Sequence, residues 1–262
     1  MKSTNNRAYV QMNGVGHQYD PNPNAPMAIK GIDFSIRRHE FIAVVGPSGC
    51  GKSTLLRLVS GLLLPSQGTV SVFDRPVTQP RDDVGIVFQK ASLLPWLSAK
   101  KNVLFPLKHK YGGYSVKDEQ RADELLEMLG LSQFADSLPS ALSGGMQQRL
   151  GIARALLLDP DILLMDEPFS ALDALTREQI GFDLLRIWQE KPKTVLFITH
   201  SISEAVLLAD RVLVMSERPG TVLDIIDIDL PRPRTNHTVT LPRFIQLAEQ
   251  IRGHIYAPIA TA

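Results

Sequence analysis

The sequence predicts an α/β fold with a mostly parallel sheet, and two observations support this prediction. First, four short apolar runs each end at a glycine or a polar residue: FIAVV at 41–45, ILLM at 162–165, VLFI at 195–198 and VLVM at 212–215. Continuous apolar runs of this length are typical of strands that are buried on both faces. Second, helical patterns separate the runs, and their alternation favours an α/β architecture. One such pattern has apolar residues at helical spacing: Ile180, Leu184, Ile187 and Trp188.

The remaining elements follow in chain order. Residues 8–36 contain strand-like pieces on either side of a loop rich in proline and asparagine at 20–26, which predicts an antiparallel β segment. The region of about 90–150 has helical spacing, for example over 117–129, and no convincing strand, so we predict an inserted helical subdomain. We expect the packed core to end near the PRPR segment at 231–234. A short terminal helix is predicted over 241–256.

Composition excludes several classes of protein. The chain has 262 residues, of which 44% are hydrophobic and 21% are charged, as in an ordinary globular protein and unlike a disordered one. The net charge of +1 argues against a dedicated nucleic-acid binder. A single cysteine, Cys50, precludes an intramolecular disulfide and favours a reducing compartment. We expect a soluble chain, because no apolar run approaches the roughly 18 residues of a membrane-spanning helix and the N-terminus lacks a signal-peptide core.

Residues 46–54, GPSGCGKST, match the Walker A pattern of phosphate-binding loops, with an apolar run before them and a helical pattern after them. Glycines allow backbone N–H groups to surround phosphate oxygens. The Lys52 ammonium suits the β and γ phosphates, and the Ser53 hydroxyl suits Mg²⁺. The alternatives are a glycine-rich turn that binds nothing and, for Cys50, a redox centre. The predicted ATP-binding residues of this loop are Gly46, Pro47, Ser48, Gly49, Cys50, Gly51, Lys52, Ser53 and Thr54.

Two acidic residues, Asp166 and Glu167, follow the second apolar run directly. A carboxylate beside the phosphate loop can hold Mg²⁺ through water, the role predicted for Asp166. Glu167 can polarise an attacking water. The alternative is a strand that merely ends in solvated acids. Because ligands of parallel sheets bind beyond the carboxyl ends of the strands, we expect Gly46, Asp166 and His200 to gather there.

A second candidate anion site lies at LSGGMQQR, residues 142–149. Ser143 is a good helix N-cap, and the two glycines after it expose backbone N–H groups at a helix start. One chain with two half-sites predicts that two protomers face each other and complete each other's ATP sites.

With these motifs in place, the sequence resembles the ATP-binding subunits of ABC transporters from Tyr19 to about Arg234, and LSGGMQQR resembles the family's signature motif. The resemblance implies that Tyr19 stacks on adenine, that Gln89 senses Mg²⁺ and communicates with the membrane partner, and that Asp173 belongs to the D-loop. It also implies that His200 is a switch histidine near the γ-phosphate. One departure is Ser201, where the family commonly has aspartate.

The resemblance further implies a RecA-like P-loop core whose ABC ATP-binding domain covers 8–235, with a helical tail at 236–262. ATP and Mg²⁺ are the implied ligands. The residues assigned to catalysis are Glu167, His200, Lys52 and Gln89. The residues assigned to the metal are Ser53, Gln89 and Asp166. The residues assigned to the ATP of the opposite protomer are Ser143, Gly144, Gly145 and Gln147.

The implied partners are a second copy of the chain in a homodimer, a transmembrane permease and, indirectly, a solute-binding protein, with no nucleic acid. The chain is then expected at the cytoplasmic face of the inner membrane. Segments at 93–97, 168–176, 215–220 and 230–234 are similar to importers of nitrate, aliphatic sulfonates, taurine or related solutes. We expect Trp96 to be a packing residue, or else a contact with the membrane partner. The alternative function is a soluble, non-transport ABC ATPase that acts on nucleic acid or ribosomes.

Overall fold

Each apolar run predicted as a strand is a strand in the computed structural model, which describes residues 8–22 and 24–256. The chain divides into a first unit, which contains residues up to Asp82 and from Pro192 onward, and a second unit, Asp83–Lys191. Within the described residues, none of the helices has the length and apolar character needed to cross a bilayer.

The elements are α-helices and β-strands in alternation, and the predicted α/β class is confirmed. In chain order they are β1 (Ala8–His17), β2 (Ile29–Arg37), β3 (Phe41–Val45), α1 (Lys52–Val59), β4 (Gln67–Val72), β5 (Arg75–Pro76), β6 (Val84–Val87), α2 (Ala99–Tyr111), α3 (Val116–Met128), α4 (Gly144–Leu157), β7 (Ile162–Asp166), α5 (Ala174–Glu190), β8 (Thr194–Ile198), α6 (Ile202–Leu208), β9 (Arg211–Met215), β10 (Val222–Asp227) and α7 (Pro242–Tyr256).

The first unit contains an antiparallel sheet with the strand order β2-β1-β4-β5. The predicted turn-rich loop connects β1 to β2, which pair along most of their length, for example Met12 with Phe34. In β2, Ile32, Phe34 and Ile36 are buried in alternation with more exposed residues. This alternation is the pattern of a sheet with one buried face.

The parallel strands of the first unit place the phosphate loop. β3 lies between β8 and β9 and is parallel to both, and β10 adds an antiparallel edge to β9. Every residue of β3 and β8 is buried, as the continuous apolar runs predict. Because β3 and β8 run in the same direction, residues 46–54 and His200 follow strands that end at the same edge of the sheet.

The expectation that the packed core ends near 231–234 is wrong. The terminal helix α7 packs on α6, β9 and β10 and buries Leu247 and Ile251 completely. The reason is an amphipathic pattern at 244, 247, 248 and 251, whose apolar face needs a surface to cover it. Arg234 is also buried, and its guanidinium donates to the carbonyls of Val206, Leu207 and Ala209. Burial, together with the charge of Arg232, lowers the pKa of Arg234 to about 10.

The second unit combines the parallel pair β6 and β7 with four helices. Helices α2, α3 and α4 pack on one another, and residues 90–150 contain no strand, as predicted. The helix predicted over 117–129 is α3, which begins with a capping box in which Ser115 and Asp118 bond each other's backbone. The domain limits at 8–235 and 236–262 stay predictions.

Candidate functional site

The Walker A loop has a backbone that only glycine adopts without strain. Gly49 and Gly51 have φ values of 77° and 100°, in the left-handed region. A Cβ on Gly51 would also lie 2.3 Å from Ile29 Cγ2, so a side chain has no room there. Helix α1 begins at the next residue, and its first N–H groups therefore face the loop. These features make the loop suitable for an anion.

Lys52 supplies a positive charge from a buried position in this loop, with 8% of its surface exposed. Its ammonium donates to the carbonyls of Gly46 at 2.9 Å and Pro47 at 2.8 Å. Cys50 is also buried, and burial raises the pKa of its thiol although the charge of Lys52 opposes the shift. A neutral, buried thiol supports a structural role for Cys50 and not a redox one.

Tyr19 presents an open aromatic ring next to the phosphate loop. Its side chain is 53% exposed, while its hydroxyl lies 3.0 Å from Thr54 Oγ1 at the start of α1. The ring of His17 meets Tyr19 edge-on, with centroids 4.7 Å apart. The hydroxyl is thus held while the ring remains available, which is the arrangement that a stacked base requires.

His200 lies in a short connection whose shape is set by capping bonds. The Thr199 amide donates to the Val44 carbonyl at 3.2 Å, and the Thr199 hydroxyl donates to Glu204 at 2.6 Å. Ser201, the departure from the family pattern, is the N-cap of α6 and accepts from the Glu204 amide at 3.3 Å. Serine and aspartate are both good N-caps, so this departure leaves the exposed His200 at a well-formed helix start.

In the second unit the structure brings together two residues predicted for catalysis. Asp166 is the last residue of β7, and Glu167 follows it with a φ of 46°. The Gln89 side-chain amide donates to Glu167 Oε2 at 3.3 Å. A left-handed backbone is uncommon outside glycine, and such strain is concentrated at functional sites. The strained Glu167 therefore supports, from geometry, the site that the motif predicts.

The signature loop has the predicted helix cap. Ser143 Oγ accepts from the Met146 amide at 3.3 Å, and α4 begins at Gly144. A Cβ on Gly144 would meet no atom within 4 Å, whereas one on Gly145 would lie 2.9 Å from Leu172 Cδ2 in the D-loop. One side of this helix start is thus open, and the other side is packed.

Gln147 and Asp173 form local bonds in this region. The Gln147 side-chain amide donates to the carbonyls of Pro139 at 3.0 Å and Leu142 at 3.2 Å, so it orders the signature loop. Asp173 caps α5 by accepting from the Thr176 amide at 3.0 Å. Hydrogen bonds from Thr176 lower the pKa of the Asp173 carboxyl. The predicted contacts of both residues with a second protomer stay predictions.

Two side chains of α4 hold the segment that contains Gln89, and the sequence did not reveal them. Gln148 is buried and donates to the Phe88 carbonyl at 3.0 Å. The Arg154 guanidinium donates to the carbonyls of Ala91 at 2.6 Å and Ser92 at 3.0 Å, and burial lowers its pKa. Their only signal in the sequence is that polar residues interrupt an apolar helix, which does not identify a partner.

Trp96 differs from its expected packing role, because 71% of its surface is exposed. Leu94, two residues before Trp96, is held by its backbone amide, which donates to Asn102 Oδ1 at 2.8 Å. The loop is therefore ordered without burial of the indole, and the packing interpretation of Trp96 is wrong.

The chemistry of the site also fits Mg²⁺. Across the part of the chain that the structure describes, no three or more His, Cys, Asp or Glu side chains form a cage for a metal. Magnesium in nucleotide sites does not need one, because substrate phosphates and water provide most of its ligands. The Ser53 hydroxyl in the first unit and the Asp166 carboxylate in the second unit are each an oxygen donor of the kind that Mg²⁺ prefers.

Residues 29–170 match the family model described as ABC transporter. The chain belongs to this family. It is 42% identical to the nitrate import ATP-binding protein NrtD of Synechococcus elongatus, over 98% of this chain and 95% of that protein. It is 48% identical to the taurine import ATP-binding protein TauB of Rhizobium johnstonii, over 88% and 89% of the two chains.

A solved structure of an ATP-binding cassette has a similar fold. The dimeric, post-hydrolysis state of the ATP-binding cassette MJ0796, bound to ADP and Pi, matches with a TM-score of 0.75 and 36% identity. The match covers 84% of this chain and 98% of that one. This ABC transporter protein is accordingly an ATP-binding cassette and an ATPase.

Proposed function

We propose that this ABC transporter protein is the ATP-hydrolysing subunit of an importer for nitrate, taurine, a sulfonate or a related small solute. The observation that carries the ATP-dependent part is the pair of helix starts at Lys52 and Gly144, each preceded by a glycine or serine N-cap. The second start has open space at Gly144. The names of NrtD and TauB support the class of solute.

The proposed binding half-site takes its contacts with the phosphates and the adenine from the first unit. The amides of residues 49–54 and the Lys52 ammonium hold the phosphates, and the Tyr19 ring stacks on adenine. Ser53, Gln89 and Asp166 are proposed to hold Mg²⁺, which when bound neutralises charge on the phosphate oxygens. Phosphoryl transfer then depends mainly on positioning and on charge stabilisation.

The proposed hydrolytic step uses the strained carboxylate of the second unit. Glu167 orients and polarises the attacking water, and its bond from Gln89 keeps the carboxylate in place. His200 is proposed to stabilise the closed geometry around the γ-phosphate. In a homodimer, Ser143, Gly144 and Gly145 of the second copy would contact the same γ-phosphate, so that ATP favours closure. Asp173 and Gln147 are proposed to order the loops at that contact.

Closure and opening of the dimer are proposed to drive a membrane permease that receives its solute from a binding protein. The chain would act as a peripheral subunit at the cytoplasmic face of the inner membrane. The exposed indole of Trp96 is proposed to contact the permease. We propose no role for nucleic acid, in keeping with the net charge of +1.

Growth experiments test the transport function. The gene is deleted, and the strain is grown with nitrate as the sole nitrogen source, or with taurine or an alkanesulfonate as the sole sulfur source. We expect the deletion to abolish growth on one of these sources and the wild-type gene to restore it. Complementation with Glu167→Gln should fail, whereas Glu178→Gln, on the exposed face of α5, should succeed. Normal growth of the deletion strain on every source would contradict the proposed solute class.

A further inference from the structure

The loop SERPG at 216–220, which follows β9, lies against the Walker A loop within the first unit. A Cβ on Gly220 would lie 1.9 Å from the carbonyl oxygen of Cys50 and 3.1 Å from the carbonyl carbon. No side chain fits there, because real Cβ atoms do not approach an oxygen so closely. The hydrogen of a glycine is thus the only substituent that this contact accepts.

The contact determines the direction of one peptide group. In a trans peptide the C=O and the next N–H point in opposite directions. Because the Cys50 carbonyl faces Gly220, the N–H of Gly51 points away from Gly220. Gly51 precedes helix α1, where backbone N–H groups form an anion site.

Gly220 is itself held by strand β2 and the residues before it. Its amide donates to the Ala28 carbonyl at 3.0 Å, and its carbonyl accepts from the Lys30 amide at 2.9 Å. Ile29 of the same segment blocks the Cβ position of Gly51 at 2.3 Å. The Cys50–Gly51 peptide is therefore enclosed at one end by the backbone of Gly220 and at the other by the side chain of Ile29, the first residue of β2.

The loop at 216–220 is held both by hydrogen bonds at its two ends and by a bond to the segment before β2. Ser216 Oγ accepts from the Thr221 amide and from the Thr221 hydroxyl, each at 2.9 Å. Arg218 Nε donates to the Met27 carbonyl at 3.3 Å. These bonds allow the loop to hold its position against the phosphate loop.

We propose that Gly220 is a positioning residue for nucleotide binding. Because it has no side chain, it leaves room for the Cys50 carbonyl, and this direction of the peptide group points the Gly51 N–H toward the phosphates. This role depends on ATP binding by the cassette and not on import or on the identity of the solute. It gives the RPG segment, which lies far from the Walker A motif in the chain, a function in the same site.

The test is the substitution Gly220→Ala in the full chain, with ADP and Mg²⁺ as the probe in isothermal titration calorimetry. The backbone of Gly220 lies outside the left-handed region, so alanine causes no backbone strain there. Its only effect is the collision of its Cβ with neighbouring atoms. We expect the Kd for ADP to rise about tenfold or more, as for the loss of one hydrogen bond to a charged group. The affinity for AMP, which lacks the β-phosphate, should fall much less in the same variant.

Two further glycines of the same unit serve as controls. Gly253→Ala meets no atom within 4 Å and should match the wild type. Gly68→Ala would place a Cβ 2.4 Å from the Asn13 and Gly14 carbonyl oxygens in the antiparallel sheet, so it should lower the urea midpoint and leave the Kd for ADP within about twofold. A purely structural role for Gly220 predicts that Gly220→Ala behaves like Gly68→Ala, and that result would overturn the proposal.

If Gly220→Ala does not fold, the variant Ser216→Ala tests the proposal in its place. It removes the hydroxyl that closes the loop and introduces no bulk. A severalfold rise in the Kd for ADP supports the proposal, and an unchanged Kd overturns it. If the wild-type chain itself fails to bind ADP, the proposed nucleotide site is wrong as a whole. That result is distinguishable from a failure of the role proposed for Gly220 alone.

Discussion

The Walker A loop and the signature loop both precede a helix whose first backbone N–H groups have no acceptor within the helix, but their surroundings differ. At the Walker A loop, atoms from distant parts of the first unit occupy the Cβ positions of Gly46 and Gly51, where Met215 and Ile29 lie, and only the position at Gly49 is open. At the signature loop, the space at Gly144 is open, and the cap comes from Ser143, the residue just before it in the chain.

The difference concerns what each loop needs in order to bind. A loop that is held by its own unit is preorganised, and it can bind a phosphate without further ordering. The signature helix start has the same amides and dipole but is packed only at Gly145 and open at Gly144, so an anion there has to be held from the open side as well. We therefore expect substitutions in the first unit to change nucleotide affinity and substitutions in the second unit to change turnover.

The largest expected effect separates binding from chemistry. Glu167→Gln should lower ATPase turnover by about 10²- to 10⁴-fold, because the general base is lost. ATP affinity should stay within about twofold of the wild type, since the Walker A loop is untouched. Phosphate release and ATP titration measure the two effects, and light scattering should detect a nucleotide-locked dimer. Glu178→Gln is the matched control, and unchanged turnover in Glu167→Gln would refute the assignment.

The second expected effect tests the open loop. Ser143→Arg should reduce ATPase turnover by about 100-fold, as for removal of a transition-state contact, while ADP binding by the isolated chain remains. Ser115→Arg is the matched control, because it also replaces a serine N-cap by arginine. The Ser115 hydroxyl caps α3 by accepting from the Asp118 amide at 3.3 Å. Both changes cost about 1 kcal/mol of cap energy, measured by urea unfolding. Equal turnover in the two variants, or loss of ADP binding in Ser143→Arg, would contradict the two-half-site arrangement.

A smaller effect is expected at the exposed ring of the first unit. Tyr19→Ala should weaken ADP binding by about 1–3 kcal/mol, which is the range for a base stacked on an aromatic side chain. Tyr19→Phe should retain most of the affinity, although it loses the bond to Thr54 Oγ1. Calorimetry with ADP measures both variants. An unaffected Tyr19→Ala would place adenine elsewhere.

The smallest expected effect is the pH dependence of the Asp173 cap. The folded-state pKa of Asp173 is lowered by the hydrogen bonds from Thr176, so the ionised form favours folding. The contribution is complete above the unfolded-state pKa near 3.8 and is lost as the pH falls through the lower, folded-state value. Urea midpoints of the wild type and Asp173→Asn should therefore differ at pH 6 and converge below the folded-state pKa. A difference that persists at that acid limit would exclude the cap as its cause.

The sequence was most informative where residues close together in the chain act together. The four apolar runs predicted β3, β7, β8 and β9, because a continuously apolar segment of this length has to be buried on both faces. The cap at Ser143 was predicted for the same reason, since it bonds an amide three residues ahead. The cap at Asp173 is equally local, but Asp173 was assigned only to the D-loop. By contrast, β6, with only four residues and Gly85 among them, has no clear pattern.

Contacts between distant segments were beyond this kind of prediction. Gln148 and Arg154 bind carbonyls near Gln89, and a carbonyl acceptor has no signature in the sequence because every residue carries one. The packing of α7 was missed for a related reason. Its apolar face predicts burial but does not identify the surface that covers it.

By itself, then, the sequence determined the α/β class, the four strands β3, β7, β8 and β9, and the positions in the chain of the motifs predicted for both half-sites. These depend on local spacing and on residue chemistry. The tertiary structure alone decided which glycine positions of the two loops are enclosed and which are open, because Gly51 is enclosed by residues 28–29 and the Cys50 carbonyl faces Gly220. These walls consist of backbone and side-chain atoms from segments far apart in the chain, and the sequence does not show which segments meet before the chain has folded.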